Sequence, residues 1–117
     1  MRDHRRLEVF ALADALALHV YTATRQFPED ERYGLTSQIR RAAVSIGANI
    51  VEGAARSSDA DFLRLLTIAY GSARELEYEI SLAIRLGYLP NEDRHSLHEE
   101  ALRTCRALYG LILAIRG

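Results

Sequence analysis

At 117 residues, with 49% hydrophobic and 26% charged residues, the chain has the composition of one globular domain able to bury a core. Its formal net charge of −1 excludes a protein whose affinity rests on a large positive field. The N-terminus, MRDHRRLEVF, opens on charge, the apolar runs fall short of a membrane span, and the one cysteine, Cys105, has no internal partner; we expect a cytoplasmic protein without membrane association. All fifteen basic residues are Arg, a bias that a GC-rich coding sequence produces. Four helices are predicted in chain order. The first, about 6–26, carries Leu7, Phe10, Ala13, Ala17, Val20, Thr24 and Phe27 at spacings of three and four, the mark of a core stripe. Phe27-Pro28 ends it, because the residue before a proline leaves the helical region and Pro28 has no N–H.

The second helix, about 33–55, is apolar on more than one side. At about 100° per residue, Leu35, Ile39, Ala42, Ala43, Ile46 and Ile50 form one stripe, and Val44, Gly47, Ala48, Val51 and Ala55 a second. A helix of a small monomer needs only one buried stripe, so the second implies an outer contact, which we expect to be with another copy of the chain. Between them runs a polar stripe of Ser37, Arg41, Ser45, Asn49, Glu52 and Arg56. Ser57 and Ser58 offer cap oxygens to the third helix, about 59–86, and Ser58 with Asp61 resembles a capping box. Its stripe is Phe62, Leu65, Leu66, Ala69, Ala73, Leu76, Ile80 and Ala83, with Ile68, Tyr78, Leu82 and Leu86 as surplus apolar residues. Gly87 falls at a left-handed C-cap position. Asn91 is expected to cap the fourth helix, about 92–115, striped by Leu97, Ala101, Cys105, Leu108, Ile112 and Ile115. Residues 1–117 are therefore read as a single all-α domain, an antiparallel up-down-up-down four-helix bundle, since short links make sequential helices neighbours.

Catalytic and metal chemistry find little support. A di-iron bundle needs two Glu-x-x-His motifs, and Glu92-x-x-His95 stands alone at a helix start. His95, His98 and Glu99 have metal-compatible spacing but read as a solvated face. Cys105 lies on a core stripe, where cysteine behaves as a small hydrophobe. No catalytic residue, cofactor or metal is assigned. The polar stripe, with Glu75 and Glu79 of the third helix, is either a ligand groove or an Arg–carboxylate network; we favour a structural network of Ser37, Arg41, Ser45, Asn49, Glu52, Glu75 and Glu79 in which Arg41 is paired. Val44, Ala48, Val51, Ile68, Tyr78 and Leu82 are the candidate oligomer interface. Arg2, Arg5, Arg6, Arg40, Arg41 and Arg56 are candidate phosphate contacts, diluted by interleaved acids.

A set of short segments then resembles a known family. They are Leu7-Glu8-Val9-Phe10, Phe27-Pro28, Tyr33-Gly34-Leu35, the core TSQIRRAAVSIGANIVEG from Thr36 to Gly53, Phe62-Leu63-Arg64, Gly71-Ser72, Glu75-Leu76-Glu77 and Leu86-Gly87-Tyr88-Leu89. The chain resembles, over nearly its whole length, the small four-helix-bundle proteins related to the protein encoded in intervening sequences of bacterial 23S rRNA genes. The family pattern has Pro where this chain has Gly47. The resemblance implies a homopentamer closed as a ring. It also links the chain to the accessory variability protein of diversity-generating retroelements, a strongly basic relative that looks like a nucleic-acid and reverse-transcriptase partner. The expectation is a non-enzymatic homo-oligomeric scaffold with weak RNA or other nucleic-acid binding; the alternatives are an adaptor for a protein partner and a metal-dependent enzyme.

Overall fold

The computed structural model describes residues 1–117 as four α-helices without a strand: α1 Glu8–Ala23, α2 Leu35–Ala54, α3 Asp59–Arg85 and α4 Asn91–Arg116. Single 3-10 turns cover His4–Arg6, Thr24–Gln26 and Glu29–Glu31. At 1.5 Å per residue the 27 residues of α3 span about 40 Å, which sets the 43 Å long axis of the molecule. Each helix packs on its sequence neighbour, and α1 closes against α4.

Local chemistry sets the helix ends. Phe27 is extended (φ −63°, ψ 151°) ahead of Pro28, and the chain turns there. Before α2, Glu31 clamps the turn: its Oε1 accepts from the Leu35 N–H at 3.1 Å and its Oε2 from the Tyr88 hydroxyl at 3.1 Å. Ser58 caps α3 by accepting from the Asp61 N–H. Gly87 takes φ +77°, the left-handed conformation that glycine adopts without a Cβ clash. The fourth helix starts one residue earlier than expected. Pro90 occupies the cap and Asn91 the first helical position, because the extended backbone of a proline already sets the entry.

The first stripe of α2 and the core stripe of α3 are buried throughout, and one core cluster joins all four helices. On α1 the stripe is rotated. Val9, Ala13, Leu16, Val20 and Ala23 are buried, while Leu7, Phe10 and Ala17 only flank the core. Ala and Leu alternate from Ala11 to Leu18, broken only by Asp14, and give this helix apolar residues on several sides, so periodicity alone does not choose among them. At Gly53 the α2–α3 contact is tight: an added Cβ would lie 3.0 Å from Phe62 and 3.1 Å from Leu65.

Candidate interaction surface

The second stripe of α2 lies in solvent. Val44 is 48% and Val51 36% exposed, and Ala48 and Ala55 are exposed with them. Gly47 is half-buried, with Phe10 the nearest side chain its Cβ would meet, and α2 runs through it unbroken. On α3, Ile68 (45%), Tyr78 (58%) and Leu86 are exposed, whereas Leu82 is half-buried against the core. A helix whose opposite faces are buried in the core and exposed as Val and Ala leaves apolar area in water, and such area marks contact surfaces when it is contiguous.

The polar stripe follows the α2–α3 seam. The Ser45 and Ser72 hydroxyls bridge the helices at 2.9 Å, and the Asn49 side-chain amide donates to the Ser45 carbonyl at 2.8 Å and to its hydroxyl at 3.1 Å. Arg41, Ala42, Ser45, Ser72 and Glu75 line a shallow cleft of about 210 Å³ here. The expected Arg–carboxylate network differs in its members. No carboxylate lies within ion-pair distance of Arg41, which is exposed, and Glu52 pairs instead with Arg56 at 2.7 Å, one helical turn on. Ser37 is exposed and makes no side-chain hydrogen bond. Glu79, by contrast, is only 4% exposed, and its Oε1 has no partner. Burial pushes its carboxyl up to about 7, with the neighbouring Glu75 adding to the rise and Arg41 opposing it. Near neutrality Glu79 therefore sits between its charged and neutral forms.

The candidate phosphate-contact arginines divide by what already holds them. Arg2 donates its backbone N–H to the Ala54 carbonyl, pairs with Asp59 at 2.9 Å and stacks on Phe62 at 4.4 Å, so it staples the N-terminus to the α2–α3 turn. Arg5 is bonded to Asp3 and Arg56 to Glu52. Arg40 donates to the Thr24 hydroxyl and the Tyr21 carbonyl. Arg6 and Arg41 are exposed with no ion pair.

Two features were not read from the sequence. His19 of α1 bridges two acids of α4, with Nδ1 2.7 Å from Glu100 and Nε2 2.9 Å from Asp93. Burial pushes the imidazole down, but the two carboxylates outweigh it and hold it above its usual value. The only sequence signal was an acid pair two turns apart on α4, which names no partner without the packing register. Between α3 and α4 lies an open groove of about 380 Å³, with Tyr70, Arg74, Leu102, Cys105, Arg106 and Tyr109 on its walls. The Tyr70 and Tyr109 rings stand 5.8 Å apart in it. Burial raises the Cys105 thiol above its ordinary value. No three His, Cys, Asp or Glu side chains converge as metal ligands, and no helix is long and apolar enough to cross a membrane.

Four packed helices without a strand, with apolar residues left in solvent on the second and third, place the chain among all-α helical proteins. The chain belongs to the 23S rRNA-intervening sequence protein family, whose sequence profile matches residues 5–110. It is similar to the crystal structure of a protein with unknown function from the S23 ribosomal protein family of Bacteroides thetaiotaomicron VPI-5482. The two are 30% identical, the match covers 89% of this chain and 94% of the other, and the TM-score is 0.79. Comparison with curated proteins gives no match.

Proposed function

We propose that this protein is a non-enzymatic homo-oligomeric scaffold, its four helices running up-down-up-down and its copies joined through the outer faces of α2 and α3 into a closed ring. The observation that carries the reading is the exposed band of Val44, Ala48 and Val51, opposite the buried face of the same helix. The antiparallel order is supported by the α2–α3 pairing, where Gly53 meets Phe62 and Leu65 while Ser45 meets Ser72. Five subunits follow from the family resemblance. A raised Cys105 thiol is a poor nucleophile, and the one Glu-x-x-His pair, Glu92 and His95, lies at the N-terminal end of α4, which favours a scaffold over an enzyme.

Light scattering at micromolar concentration should return five chain masses of 13.2 kDa each, and Val51→Glu should break the assembly by burying an unpaired charge at every repeat of the interface. A monomer mass for the wild type would sink this reading. We propose further that the assembled protein binds RNA weakly. A net charge of −1 per chain makes the long-range field mildly repulsive, so affinity rests on local arginines repeated around the ring. A contact of that kind is non-specific, roughly micromolar or weaker, and loses strength as salt rises in a gel-shift series. The second reading, an adaptor for a protein partner in the cytoplasm, is favoured by the α3–α4 groove and its paired tyrosines, residues enriched at protein interfaces.

A further inference from the structure

The connection from α1 to α2 folds into a separate polar cleft of about 180 Å³, and none of its lining residues belongs to the outer apolar band. Arg25, Glu29, Arg32, Thr36 and Arg40 line it beside the Phe27-Pro28 turn. Such a volume lies below the roughly 300–1,000 Å³ of pockets for drug-sized ligands and suits a small ion. Three arginines and a single carboxylate are among its lining residues. That carboxylate is loosely engaged: Glu29 is 90% exposed and stands 4.0 Å from Arg32, at the outer limit of an ion pair.

Arg40 is already held in place. Its Nε donates to the Thr24 hydroxyl at 2.8 Å, its Nη2 donates to the Tyr21 carbonyl at 3.3 Å, and the guanidinium lies 4.7 Å from the centre of the Tyr21 ring. Thr24 is buried and donates its own proton to the Val20 carbonyl at 2.8 Å, which leaves its oxygen to accept from Arg40. The remaining guanidinium N–H groups are thus oriented before any ligand arrives. Thr36 supplies an independent sign of a missing partner. It is 8% exposed, its hydroxyl has no hydrogen bond, and a buried hydroxyl left unpaired is costly. It sits in the first turn of α2, where the N–H groups of Thr36 and Ser37 have no backbone acceptor and the helix dipole is positive.

We propose that this cleft binds a phosphate group, with Arg25, Arg32 and Arg40 around its oxygens and the Thr36 hydroxyl, sealed from solvent in the free protein, turning to donate to one of them. The phosphate is either free or carried on an RNA backbone. The site does not depend on the oligomeric reading.

Titration of the full chain with inorganic phosphate, followed by calorimetry and by the melting temperature, tests it. One site per chain is expected, with sulfate competing. The double variant Arg25→Gln/Arg32→Gln, both on exposed side chains, should lower the affinity at least about tenfold, the loss that follows from removing charge-assisted hydrogen bonds. Thr36→Val should also weaken binding, while the free variant melts no lower than the wild type because an unpartnered hydroxyl has gone. Glu29→Gln should tighten binding by removing the competing carboxylate. Absence of phosphate binding, or binding that these variants leave unchanged, would overturn the proposal. A parallel arm uses a labelled single-stranded oligoribonucleotide. If the same variants weaken it and inorganic phosphate displaces it, the phosphate is that of RNA; if phosphate binds and the RNA is indifferent to the variants, the site serves the free anion.

Discussion

Replacing Glu79 by Gln should make the protein more stable at pH 8 and leave it unchanged at pH 4. Glu79 is buried with one carboxyl oxygen unpartnered, and burial first, then Glu75, pushes its carboxyl from 4.5 up to about 7. A folded-state value above the unfolded one means that the native state holds the proton more tightly. The stabilisation this gives is complete below pH 4.5 and is lost as pH rises through about 7. The gap between 4.5 and about 7 corresponds to at most about 3 kcal/mol. The attraction of Arg41 is already contained in that value, and Glu75 couples to the same proton, so about 1–3 kcal/mol is the working range. Glutamine has the shape of the protonated acid and never ionises. At roughly 2.1 cal/mol/K per residue of unfolding entropy, that range is about 4–12 °C in Tm for a domain this size. Thermal melts of wild type and Glu79→Gln, followed by circular dichroism at pH 4, 6 and 8, measure it. The curves should coincide at pH 4 and separate progressively above it. Two Tm profiles that run parallel across this range would show that Glu79 is hydrated or paired, and the reasoning from its burial would fail.

Two further perturbations probe the packing that holds the surface in place. His19→Gln should destabilise the protein more at pH 5 than at pH 9. The imidazole is held above its usual value by Asp93 and Glu100, so its stabilisation is present below the unfolded value of about 6.5 and is lost as pH rises through the folded one. Urea unfolding at the two pH values should show a cost on the order of 1–3 kcal/mol at pH 5 for a lost charged hydrogen-bond pair, and equal losses at both would refute the charge bridge. Gly53→Ala should lower stability by about 1 kcal/mol, because a Cβ 3.0 Å from Phe62 overpacks the α2–α3 contact by more than the gain in helix propensity. A variant that melts higher than the wild type would mean that Phe62 moves aside freely.

Residues close in the chain decided helix existence and most helix faces, because those depend on a 3.6-residue period and on caps only three or four residues away. Ile39, Ala42, Ala43, Ile46 and Ile50 are buried as their spacing requires, Ser58 caps α3, and Gly87 is left-handed. The exposed band at Val44, Ala48 and Val51 was legible for the same reason, as apolar residues left over after the core face was filled. The alternating Ala and Leu of α1 satisfied more than one face, and only packing against α2 and α4 chose Val9 and Leu16 over Leu7 and Ala17. Pairings between helices were beyond any local pattern, since they depend on axial register and crossing geometry. Register brought His19 to Asp93 and Glu100, 74 and 81 residues away, and carried Arg40 to Thr24. It also left Arg41 in water while burying Glu79, two residues that had looked alike as members of one polar network between the second and third helices. Sequence by itself determined which faces are apolar; the tertiary structure decided which polar groups meet, because burial and partnership belong to the space between helices.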